Sequence, residues 1–462
     1  LKQKKSDRRL GLAGLSALVF SMMVGSGIFN IPQNIAAGSG LAASIVAWVV
    51  TAIAMLSLLY TFRKLSLSRP ELNAGIYQYA QKGFGRYAGF NMAWGYWLCV
   101  CFANVAYAVM LNDSFGAFFP PLLEHGWQMI LFGSGLIWSM YFLVSNGMRT
   151  AKTLNMIMTV VKIIPMLLIV VLLALYFKVD RLEHDWPGVE GASDMWSQVR
   201  DTMMVTLWCF IGIEGAVMMS ARAKKPGNVG TAGILGFLVA WVLYAVVSVL
   251  SFGLMSRMQL SHLGNPSVAY LLLDSTGRFA YWFVIISVIV SVLGAWVSWT
   301  IVCAQVPLEA AGAGIFPQRF TRLNRHDMPA YGLRFSSVAM TIFLLIVSLA
   351  DDVYMAALDI TGMMILPCYL FSALYLCKLA LNKRNNLRHA LPVGLLCVAS
   401  CLYMLYAAGP LLMATSLFYL AGTGIYFRKQ RSLTRNEAIA LLMLVILAVA
   451  SVILICKGRL SM

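Results

Sequence analysis

The feature that most limits the fold of this chain is a series of thirteen apolar runs, each of a length that lets an α-helix cross a bilayer. They lie at roughly 10–35, 41–62, 85–112, 127–146, 153–178, 198–221, 229–256, 279–312, 333–350, 353–378, 390–408, 411–427 and 437–456. In hydrocarbon every backbone N–H and C=O needs a partner inside the protein, and a helix supplies these within its own segment. The expected fold is an all-α polytopic membrane protein. Composition agrees: 60% of the residues are hydrophobic and only 11% charged, far from an ordinary soluble chain.

The formal net charge of +17 would raise nucleic acid as a partner in a soluble protein. Here the basic residues fall in short clusters between apolar runs, which is the distribution of topology signals. The partner they imply is the lipid bilayer, and no nucleic acid is expected. With the tail 1–9 in the cytoplasm, every inside connection is basic, as at Arg63 and Lys64, at Arg222, Lys224 and Lys225, and at Arg428, Lys429 and Arg431. The outside connections instead carry Asp113 and Glu124, Asp180 to Asp194, and Asp351 with Asp352. This alternation holds through the twelfth run, and one missed or invented crossing would have inverted it. The first run leads into further runs without a convincing cleavage site, so it reads as a retained helix rather than a secretory signal. The nine cysteines nearly all fall within the runs, where a free thiol behaves as a small hydrophobe. No disulfide, metal centre or cofactor is expected from them.

Two of the runs are interrupted. The sixth contains Trp208-Cys209-Phe210-Ile211-Gly212-Ile213-Glu214-Gly215, a carboxylate between glycines at membrane depth. Such a charge costs about 3 kcal/mol or more near the bilayer centre, so it needs a partner or a task. The glycines weaken the helix there, and irregular backbone at that depth is tolerated only where it is buried in protein or lines a cavity. The first run carries a similar weak point at Gly25-Ser26-Gly27. Runs one to five (10–178) and six to ten (198–379) form two blocks joined by an outside loop, 179–197, with the last three runs in 380–462. A five-span block followed by another is inverted relative to it, so the two breaks would meet near the midplane.

Several stretches together resemble one family. Gly25-Ser26-Gly27-Ile28-Phe29, Ala74-Gly75-Ile76-Tyr77, Tyr96-Trp97 with Asn104, Trp208 to Gly215, and Trp299-Thr300 with Gln305 are similar to the amino acid, polyamine and organocation transporter superfamily. Within it the chain resembles the basic amino acid/polyamine antiporters. Phe29-Asn30-Ile31-Pro32-Gln33-Asn34, the Trp94-Gly95-Tyr96-Trp97 run and a thirteenth span make the arginine:ornithine antiporters the nearest likeness. Where the acid-resistance exchangers of the family carry Asn, this chain has Met22.

An amino acid brings a carboxylate and an ammonium that must both be desolvated. Helix N-terminal N–H groups suit the first, and carbonyls freed by unwinding suit the second. The amides of Gly25, Ser26 and Gly27 and the Ser26 hydroxyl are the expected carboxylate cradle; plain small-residue packing is the alternative. The resemblance assigns the ammonium to carbonyls at Met23, Trp208 and Ile211. It also matches Trp208 and Trp299 to two aromatic positions whose faces suit a cation. Asn104 either donates to substrate or bridges helices, and Thr361 is a weaker candidate of the same kind. Lys162 either stands in for the cation of sodium-coupled superfamily members or snorkels from its helix. Glu214 is assigned to proton coupling or gating, against a purely structural tie. The expectation is a multi-pass protein of a bacterial inner membrane with a cytoplasmic N-terminus, and not an enzyme. It would exchange a cationic amino acid of the arginine, ornithine or lysine type for a related amino acid or amine by alternating access, with a homodimer left open. The rival is a proton-coupled importer using Glu214 and Lys162.

Overall fold

The computed structural model of the chain describes residues 11–72, 75–124, 126–147, 161–182, 194–218, 227–350, 352–382, 387–409, 411–427 and 434–456. The tail 1–9, Ala74, Asp351, most of the 179–197 loop, the start of the fifth run and the basic clusters at 222–225 and 428–431 lie outside the described residues.

Every regular element among the described residues is helical. The first run is broken as its glycines predict: α1 (Leu12–Met23) gives way to an extended Val24, a short 3-10 turn (Gly27–Phe29) and then α2 (Ile31–Gly38). Pro32 falls in the first turn of α2, where its missing N–H costs nothing. Then follow α3 (Leu41–Ser68), the short α4 (Tyr77–Phe84), α5 (Arg86–Gly116), α6 (Trp127–Ser145) and α7 (Ile163–Leu175). The second block repeats the order: α8 (Met195–Trp208) and α9 (Gly215–Met218) flank the second break, followed by α10 (Gly227–Phe252). Two short helices, α11 (Arg257–Ser261) and α12 (Ser267–Thr276), precede α13 (Arg278–Gly312), α14 (Ala330–Val347) and α15 (Val353–Leu381). The chain closes with α16 (Leu391–Ala407), α17 (Leu411–Phe427) and α18 (Arg435–Cys456). This is the expected pair of inverted five-helix repeats with broken first and sixth helices, plus three C-terminal helices.

Burial orders the helices. In α5 nearly every residue from Tyr87 to Ser114 is buried, with alanine, glycine and cysteine recurring along it. An all-round apolar helix with small side chains belongs at the centre, where others can approach from every side. Accordingly α15, α13, α4 and α6 all pack on α5, while α1 packs on α10. α18 is the opposite case. Leu442, Met443, Ile446, Val449 and Ile453 are exposed, the surface that lipid covers. The helices α11 and α12 are elements that apolar runs do not reveal, since they are short and partly polar; α11 begins with a capping box between Ser256 and Gln259.

Candidate functional site

Two glycine positions show why the breaks sit where they do. Gly212 has φ +110°, a conformation that side chains with a Cβ resist, and an added Cβ would lie 2.9 Å from the Met22 carbonyl oxygen. An added Cβ on Gly27 would meet the Trp208 indole nitrogen at 3.0 Å. Each glycine therefore admits a piece of the other broken helix, and the breaks face each other across the centre of the molecule. Met22 itself fills the space beside Gly215, where its sulfur would lie 2.5 Å from a Cβ. The position at which this chain departs from the acid-resistance exchangers is thus a packing contact between the two breaks.

Between the breaks lies a narrow cavity lined by Met23, Gly25, Ser26, Gly27, Trp208, Ile211 and Trp299 together with Ala103, Tyr107 and Tyr244. Its volume is about 10 Å³, room for roughly one water, and its lining residues are all buried. The site is occluded and contracted, so admitting a larger guest requires the broken helices to move. The Ser26 and Gly27 amides open the 3-10 turn and are not taken by backbone carbonyls among the described residues. Donors left free in this way suit an anion. The Ser26 hydroxyl shares a 3.2 Å hydrogen bond with the hydroxyl of Tyr354 from α15. On the other side, the Met23 carbonyl accepts from Tyr244 at 3.2 Å, and the Trp208 carbonyl accepts from the Ile211 amide at 3.2 Å. A carbonyl oxygen has two lone pairs, so each retains one. The Trp299 indole N–H is buried and has no hydrogen-bond acceptor among the described residues, which leaves it able to donate to a guest.

Glu214 lies one turn beyond the cavity, toward the basic-loop ends of the helices, and is fully buried. Three donors hold its carboxylate: the Tyr96 hydroxyl at 3.1 Å, the Tyr369 hydroxyl at 2.7 Å and the Gly212 amide at 3.1 Å. One carboxylate thus ties α5, α15 and the sixth-helix break into a single clamp. Hydrogen bonds from these donors offset part of the cost of burying the carboxyl group. Lys162 is also buried, and its ammonium donates to the Ser21 and Val24 carbonyls at 2.7 and 2.8 Å. It neither snorkels outward nor reaches Glu214. Instead it replaces helix hydrogen bonds at the end of α1 and holds the first break open.

Asn104 and Thr361 do not line the cavity. Asn104 donates to the Val100 carbonyl of its own helix and accepts from Thr300 at 3.3 Å, so it bridges α5 and α13. Thr361 donates to Ala357, one turn back. Their neighbours reach the site instead. Ala103 and Tyr107, four residues apart, share a face of α5, and Asn104 is turned about 100° from Ala103 and about 60° from Tyr107. Ala103, Tyr107, Tyr244, Tyr354 and the clamp residue Tyr369 are not named by the sequence reading, which holds Tyr96 only as part of a motif; the (i, i+4) spacing of Ala103 and Tyr107 was the available signal.

On the opposite side of the cavity from the clamp, a polar latch fixes the segment after the 3-10 turn. The Asn30 carboxamide bonds to Asn265 and accepts from the Ser267 amide at 2.8 Å, while Asn265 donates to Asp113 at 3.1 Å. The loop before α12 thereby holds the half of the first helix that follows the break against the end of α5.

Comparison with known proteins agrees with this architecture. The model of the amino acid permease family matches residues 10–449. The chain is 39% identical to an arginine/agmatine antiporter of Chlamydia pneumoniae, with 99% of each chain covered. It is 41% identical to an arginine/agmatine antiporter of Chlamydia felis over 88% of this chain and 86% of that one. Among solved structures, a nucleobase-cation-symport-1 family transporter in a closed conformation superposes with a TM-score of 0.53 at 14% identity, covering 94% of this chain and 96% of that one. At that identity the likeness is one of fold.

Proposed function

The chain belongs to the amino acid permease family, and from that premise we propose that it is an antiporter exchanging a cationic amino acid for a related amino acid or amine. Arginine is the first candidate and agmatine or ornithine the counter-substrate, in keeping with the relatives named arginine/agmatine antiporters. The observation that carries the reading is the convergence of both helix breaks and two tryptophans on one occluded cavity. The Ser26 and Gly27 amides receive the substrate carboxylate, and the Met23, Trp208 and Ile211 carbonyls receive its ammonium. Trp208 and Trp299 supply faces for the cationic end of the side chain.

The cavity sits between a latch on the outer side and the Glu214 clamp on the inner side, the two thicknesses of protein that alternating access must open in turn. Lys162 donates to the Ser21 and Val24 carbonyls and so fastens the end of α1 at the first break. The test is counterflow in liposomes. Vesicles loaded with arginine, ornithine or agmatine are expected to take up labelled arginine, whereas vesicles loaded with buffer alone are not. Full-rate accumulation without internal substrate, driven by a pH gradient, would establish a proton-coupled importer instead.

A further inference from the structure

A second cavity, of about 550 Å³, opens between α15 and α17, and none of its lining residues lines the central site. Its walls are apolar, built from Met355, Met363, Phe418 and their neighbours, with two exceptions that matter: Asp352 and Asp359. Asp352 caps α15, accepting from the Met355 amide at 2.9 Å, and lies exposed at the mouth. Asp359 is six residues past the helix start, roughly 9 Å deeper at the usual rise per residue. Among the described residues no lysine, arginine or histidine lines the cavity, and no side chain pairs with or donates to the Asp359 carboxylate. A carboxylate in an apolar, membrane-level setting is costly without a cation, and none of the described residues provides one.

We propose that this cavity binds an amphipathic amine, with its ammonium on Asp359 and its apolar body against Met363 and Phe418. Asp352 at the mouth supplies a second negative charge that draws the amine in from the outer side. The depth of Asp359 favours a free amine over an aminophospholipid, whose ammonium stays at headgroup level above the start of the helix. Because the cavity is separate from the central one, its occupant acts on α15, the helix that also carries Tyr354 and Tyr369.

The full chain in nanodiscs of phosphatidylcholine and phosphatidylglycerol, titrated with labelled octylamine and with octan-1-ol, tests this. Saturable octylamine binding is expected, at least tenfold weaker in Asp359→Asn, with arginine affinity unchanged and octanol not saturating. Ala414→Phe fills the cavity without touching the carboxylate and is expected to abolish the same binding, which keeps the test decisive if Asp359→Asn fails to fold. Undiminished binding in the variants overturns the proposal. So does octanol binding as tightly as the amine, which means apolar partition, or displacement of octylamine when phosphatidylethanolamine is included, which means a lipid headgroup is the occupant.

Discussion

At the scale of single residues, Trp299 and Glu214 present different chemistry to the site. The Trp299 ring lies against the sixth-helix break, with a ring carbon 3.2 Å from where a Gly212 Cβ would be, so it is fixed by backbone rather than by a mobile neighbour. An aromatic face over a cation contributes about 0.5 to 2 kcal/mol. Trp299→Leu is therefore expected to weaken a cationic substrate by roughly three- to thirtyfold, by competition binding, and to leave a neutral amino acid nearly unchanged. Equal losses for both would mean that the ring only packs. Glu214 accepts from two tyrosines and a break amide, and any opening of the protein on that side of the cavity must separate at least one of them. If protonation of the carboxylate eases that separation, Glu214→Gln mimics the released state and flattens the pH dependence of exchange while substrate affinity is retained. A variant with the native pH profile and native rate would show that the carboxylate is only a structural tie. The carboxylate itself was legible in the sequence, because a charge among glycines at membrane depth needs a reason. Its partners were not, since Tyr96 and Tyr369 come from spans more than a hundred residues away and membrane helices hold many tyrosines.

At the scale of elements, the two broken helices frame the central cavity, and each is held by different chemistry. Lys162 replaces the hydrogen bonds missing at the end of α1, and positive φ at Gly212 turns the chain between α8 and α9. The breaks could be read from glycine placement because no other residue meets the close approaches found there. The faces of the continuous helices could not. Asn104 was chosen over Ala103 and Tyr107, and a single residue of helical rotation sends a side chain to α13 instead of the cavity. The latch is also an element-scale device: Asn265 links Asn30 on the first helix to Asp113 on α5. Asn265→Ala removes two hydrogen bonds, each with a net contribution of about 1 kcal/mol, and is expected to shift the carrier about tenfold or more toward states open on the outer side. Cysteine labelling of the site from the outside reads that shift. An unchanged labelling rate would mean that the latch only fastens α12.

At the scale of the molecule, the arrangement of spans was the most legible part, since length, apolar content and loop charge each constrain it independently. The order of crossings follows from them, and inversion of the second block follows from the odd number of helices in the first. Two things escaped: the pair of helices between α10 and α13, whose mixed composition carries no spanning signal, and the contraction of the site to a volume near that of one water. The second is a property of packing between repeats, which no local pattern encodes. The central claim is that one site between the two breaks is reached from either side in turn and holds a cationic amino acid. Ser26→Cys places a thiol at that site, in a chain whose native cysteines other than Cys456 are all buried. With the variant oriented in liposomes, a membrane-impermeant thiol reagent is expected to modify Cys at this position from whichever side it is added, and arginine but not alanine is expected to slow both reactions. Modification from one side only, or at a rate that arginine leaves unchanged, would contradict the account.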